Sequence, residues 1–167
     1  MSQQAMIELL RGKGAHADPL ACVEDLSPEL AARHIDGFPH SIAQLVFHMN
    51  YWLNYERRRI RGEKPTYPEH AEESFPPADT PRDPAEWAHL RRDFAWFLAD
   101  YAEMAKSSPQ GMQRQIESAR EADQQTAGTL EAVLWQMVAH TSYHTGQIAL
   151  MRQVIGVWPP KAGGDTW

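Results

Sequence analysis

The chain has 167 residues, of which 43% are hydrophobic and 23% charged, with a formal net charge of −6. That is enough for one domain, residues 1–167, with an ordinary water-soluble balance and no apolar run long enough to span a bilayer. A single cysteine, Cys22, excludes an intrachain disulfide, and the acidic balance argues against a nucleic-acid partner.

The opening stretch MSQQAMIELLRGKG lacks a basic region followed by an apolar one, so no secretory signal is expected and the cytoplasm is the default location. Met6–Arg11 and Pro19–Leu26 are helical in pattern, interrupted by Gly12, Gly14 and Pro19; one kinked helix and two short ones both fit. Ser27 is an expected N-cap with Pro28 at the first helical position. Ser41 and Gln44 form a capping-box pattern. Behind it, Ile42, Leu45, Val46, Met49, Trp52 and Leu53 make a helical stripe, which Gly62 and Pro65 end. The basic cluster ERRRIR reads as the solvated end of that helix, where cations suit the macrodipole.

The next segment, KPTYPEHAEESFPPADTPRDP, holds six of the twelve prolines and reads as an ordered, mostly extended crossover. Asp83, Pro84 and Glu86 then start a helix whose stripe is Trp87, Leu90, Phe94, Phe97, Leu98 and Tyr101. Residues 107–128 are polar and loop-like. A last helix is expected from about Thr129 to Ile155, with Gly156 as its C-cap. No stretch alternates long enough to be a strand. The expectation is an all-α four-helix bundle with a long proline-rich crossover between its second and third helices.

Within the last helix, stepping by about 100° per residue puts His140 and His144 inside the apolar stripe of Leu130, Val133, Met137, Ile148 and Met151. The two imidazoles lie one turn apart, so their rings can converge. A lone histidine on an apolar face is usually a hydrogen-bonded core residue. Two stacked ones each need a donor and an acceptor matched, and an unmatched buried group costs about 1–3 kcal/mol. A divalent metal satisfies both acceptors together. Two ligands rarely suffice, and His48, at the edge of the stripe containing Trp52, is the best third candidate from another helix. His40 is expected to be solvated, as are His34, His70 and His89, while His16 either borders a pocket or serves an ordinary surface role.

The segments PHSIAQLVFHMNYW and HTSYHTGQIALMRQ, the proline-rich crossover between them and the tail WPPKAGGDTW together resemble the DinB-like family, also called DinB/YfiT-like metal-dependent hydrolases. The resemblance runs from Met6 to Trp167. It implies an up-down-down-up four-helix bundle, often a homodimer, binding one divalent metal through His48, His140 and His144. It also implies a hydrolase or a thiol-dependent transferase acting on a small molecule, with a low-molecular-weight thiol as a further cofactor. A non-catalytic metal- or ligand-binding stress-response protein is the competing expectation.

Three neutral imidazoles leave a coordination position open, as in catalytic rather than structural zinc sites. An open position could hold a water or a thiol and lower its pKa. Imidazole suits zinc, nickel or iron, so the metal is not specified. Gln44, Gln136 and Gln147 lie within a turn of a histidine and are candidates to orient the rings. Tyr51 and Trp52 are candidate pocket residues, with core packing the competing role. Gly146, which costs about 1 kcal/mol inside a helix, is expected to allow close packing or room beside the metal. Trp167 is expected to dock near the pocket mouth.

Overall fold

In the computed structural model, which describes residues 3–77, 80–118 and 128–163, the chain is all-α apart from one short pair of strands. Its helices are α1 (Gln3–Leu9), α2 (Ala21–Glu24), α3 (Pro28–Ala32), α4 (Ile42–Ile60), α5 (Pro84–Met104), α6 (Pro109–Met112) and α7 (Leu130–Val154). A 3₁₀ turn, Ala71–Ser74, interrupts the crossover between α4 and α5. Strand β1 (Gln115–Ile116) pairs antiparallel with β2 (Gly128–Thr129), inside the region expected to be loop.

The helix starts follow from side-chain chemistry. Ser41 Oγ accepts the Gln44 N–H at 3.2 Å while Gln44 Oε1 accepts the Ser41 N–H at 2.9 Å, which is the expected capping box. Ser27, Asp83 and Thr129 cap α3, α5 and α7 in the same way, each accepting a backbone N–H three residues on. Gly156 takes a left-handed φ of 76° just past α7, as a C-terminal glycine should.

Helix α4 is the centre of the fold, packed against α5 and α7. The α5 stripe is buried throughout, and so is that of α4 except for half-buried Trp52. The N-terminal segment forms short helices rather than one kinked helix: α1 and α2 lie against α7, and α3 against α4 and α5. Gly12 explains the break. Its φ is 71°, and a Cβ there would stand 2.6 Å from both His16 Nδ1 and the His16 carbonyl oxygen. Three long helices therefore carry the core, with short pieces where a fourth was expected.

One charged feature departs from expectation, and a second was not read from the sequence. The ERRRIR cluster is not simply solvated: Arg59 is buried, pairs with buried Glu56 at 2.7 Å and donates to the Glu117 carbonyl. Arg152, near the end of α7, is 1% exposed. Its guanidinium reaches the Cys22 carbonyl at 2.8 Å, Asp25 at 2.7 Å and the Val157 carbonyl at 2.8 Å, tying α7 to α2 and to the tail. Among the described residues, no helix is long and apolar enough to cross a membrane. Trp167 lies outside the described residues.

Candidate metal centre

Helices α4 and α7 pack against each other, both with buried apolar stripes, and the three histidines come from these two helices. His48 projects from α4, and His140 and His144 from successive turns of α7. His48 Nε2 and His144 Nε2 each lie 3.2 Å from His140 Nε2. Among the described residues this is the one group of three potential ligand atoms so close together. His48 and His144 are 8% and 7% exposed, and His140 is half-buried.

The hydrogen-bond partners assign two of the three tautomers. Ser74 Oγ donates its proton to the Ala71 carbonyl at 2.6 Å, so toward His48 Nδ1, 2.9 Å away, it acts as acceptor. His48 therefore carries its proton on Nδ1 and turns the lone pair of Nε2 inward. His144 Nδ1 lies 2.6 Å from Gln147 Oε1, which can only accept, so its Nε2 is also a free acceptor. His140 Nδ1 is buried with no partner among the described residues.

Electrostatics point the same way. Burial, then the neighbouring His144 and His140, push the His48 pKa down to about 3. Burial, then His144, brings His140 to about 4, and burial lowers His144 as well. At neutral pH all three rings are uncharged, the form that ligates a metal. Two zinc-bound nitrogens at tetrahedral geometry stand about 3.3 Å apart, so the spacing suits a cation shared by the three. A proton on one ring could bridge a pair but would leave the third acceptor unmatched.

A protein-family model described as Mycothiol-S-transferase matches residues 13–156. The chain belongs to this family. It is a branch of the DinB/YfiT-like superfamily, so the resemblance read from the sequence holds at that coarser level. No curated protein matches the chain.

In this mycothiol-S-transferase family member the other expected site residues divide. Gln147 holds a ring, but Gln44 does not: its carbonyl oxygen serves the capping box and its amide donates to the Pro77 carbonyl at 3.5 Å. Gln136 is exposed and has no bond to His140, whose Nδ1 stays unpartnered. Trp52 stands edge-on to His48 with ring centroids 6.4 Å apart, beside the cluster rather than sealed in the core. Tyr51 packs against Trp52 and lines a groove of about 360 Å³ between α4 and α5. His16 bonds Ser142 Oγ at 2.8 Å and lines a different cleft, away from the three histidines.

His40 is not free in solvent as expected. It stacks on Phe75 at 3.8 Å, and the same ring stacks on His48 at 4.1 Å. Gly146 faces solvent, and a Cβ there would meet nothing within 4 Å, so it provides neither close packing nor room at the site. Ser74 and Phe75, both from the crossover, were missed by sequence reasoning. The crossover's proline content marks it as ordered but does not say which residue reaches His48.

Cys22 offers no competing nucleophile. It is fully buried, and burial pushes its thiol up to about 11, so it stays protonated.

Proposed function

We propose that this protein is a metal-dependent thiol S-transferase, with His48, His140 and His144 as ligands to one divalent ion, zinc, nickel or iron. The observation carrying this reading is the convergence of three neutral imidazoles, with the Nε2 acceptors of His48 and His144 each 3.2 Å from His140 Nε2. The family match favours S-transfer over hydrolysis, and the small thiol would be mycothiol or a relative of it. When bound, the ion supplies Lewis acidity that favours the ionised form of a thiol or water.

The chain's own residues do the positioning. Ser74 and Gln147 fix two ring tautomers, and the stacked Phe75 sets the plane of His48. Trp52 and Tyr143 flank the cluster, with Tyr143 65% exposed and 5.0 Å from the His144 ring, and would contact the incoming substrate. We read the architecture as a DinB-like bundle whose first helix is broken into short pieces.

A homodimer belongs to this proposal. The solvent face of α7 carries Gln136, Ala139, Tyr143, Gly146, Leu150 and Gln153 at alternating three- and four-residue spacing, without an Asp, Glu, Lys, Arg or His. A two-fold axis places like residues together, so an uncharged face suits self-association of a chain with net charge −6. Leu150→Glu should convert the dimer to monomer in light scattering.

The deciding experiment uses untagged protein: metal content by elemental analysis, then conjugation of mycothiol to monochlorobimane. One metal per chain, with turnover lost on chelation and in His140→Ala, supports the reading. Protein that neither retains nor takes up a divalent ion overturns it. Metal binding without conjugation activity toward any thiol tried moves the assignment to the non-catalytic alternative.

A further inference from the structure

A cleft of about 680 Å³ opens between the Arg11–Glu24 segment, one face of α5 and the tail residues Ala162 and Gly163, and none of the three histidines lines it. That volume is typical of a small-molecule site. One wall is apolar, from Leu20, Ala21, Val23 and Ala95. The rim carries four basic side chains, Arg11, Lys13, Arg91 and Arg92, against two acidic ones, Asp18 and Glu24. This local excess of positive charge stands out on a chain of net charge −6.

The cations are not equivalent. Arg11 is held by Asp18 and Lys13 by Glu8. Arg91 and Arg92 have no carboxylate partner among the described residues. Arg91 donates one N–H to the Glu24 carbonyl and lies over the Trp87 ring at 5.5 Å, which fixes its plane. Its Nε is buried and has no hydrogen-bond partner. Among the described residues, Arg92 hydrogen-bonds only the His89 ring. Two cleft-lining guanidiniums without a carboxylate partner favour a planar or tetrahedral oxyanion, and the apolar wall favours an organic body attached to it.

We infer that this cleft binds a small organic anion, an oxyanion joined to an apolar group, at Arg91 and Arg92. The site is separate from the histidine cluster and does not depend on a metal there.

The test is an NMR titration of the full-length, chelator-treated protein with four probes: acetate, inorganic phosphate, benzoate and phenyl phosphate. Benzoate or phenyl phosphate should bind saturably, shift the Val23 and Ala95 resonances, and bind at least about tenfold tighter than the bare anions. Arg91→Gln and Arg92→Gln should each weaken that binding at least about fivefold. Arg91 also contacts the Glu24 carbonyl, so its loss could disturb folding. Ala88→Glu, at an exposed position on the cleft wall, provides a second variant and should weaken binding without lowering Tm. Absence of saturable shifts, binding unchanged in Arg92→Gln and Ala88→Glu, or shifts centred on the histidines would each overturn the assignment.

Discussion

Helix α7 carries two buried polar clusters, and they are built on opposite terms. At Arg152 the five N–H groups of the guanidinium face five contacts, from Val157, Cys22 and Asp25. Eight residues earlier, about 12 Å along the helix axis, the histidines turn three Nε2 atoms toward one another, of which at most one can carry a proton to donate. Both clusters tie α7 to a neighbouring segment. Only the first is complete with the atoms of the chain itself. A buried polar group whose partners are all internal is scaffold, whereas imidazole nitrogens that face one another have the arrangement of a ligand set.

Removing the complete cluster should do the greater damage to folding. Arg152→Met leaves Asp25 without its counter-charge and two carbonyls without donors, and should cost about 3 kcal/mol in urea unfolding. A loss below about 1 kcal/mol would erase the distinction between the clusters. His140→Ala should do the reverse. Metal-free stability should change by less than about 1 kcal/mol, while zinc affinity, read by competition with a chromophoric chelator, should fall about 100-fold or more. If that variant instead unfolds like Arg152→Met, the histidines are scaffold too.

Ser74→Ala sharpens the contrast further. It removes the hydroxyl that sets the His48 tautomer, and zinc affinity should fall about tenfold with the fold intact. Unchanged affinity would mean that Phe75 alone positions the ring.

The smallest expected effect is on acid stability. Burial raises the Asp25 carboxyl, but its bonds from Arg152 and the Lys161 N–H outweigh that and hold it below the usual carboxylate value. A depressed folded-state pKa contributes stability that is present above the unfolded value, about 3.9, and is lost as pH falls through the folded one. Wild-type protein should therefore lose more stability than Arg152→Met between pH 5 and the acid limit of folding. Parallel pH profiles for the two would count against the pair.

What the sequence disclosed about these clusters depended on the range of the interactions. Caps, stripes and the facing of His140 and His144 are local, set by helical periodicity within one or two turns, and they were legible. His48 was legible because it sat on the edge of a stripe. Ser74 was not, since its contact with His48 spans 26 residues of chain and depends on how the crossover folds back. Arg152 was hidden for another reason: a charged residue in a helix ordinarily reads as solvated, and its partners come from the opposite end of the chain. Gln44 could have been excluded at once. A glutamine whose carbonyl reaches back to the N-cap N–H is turned toward the start of the helix, away from a histidine one turn further on. The broken first helix was foreshadowed by Gly12, Gly14 and Pro19, but choosing between a kink and two pieces needed the close approach of Gly12 to His16.

Because His140 and His144 ride one helix a single turn apart, the bite between those two rings is set by backbone geometry that hardly deforms. The third ring sits on α4. The distance from that pair to the third ring is set instead by how α4 packs on α7 and by Ser74 and Phe75 of the crossover, so a change in the crossover would move one ring and leave the other two in place.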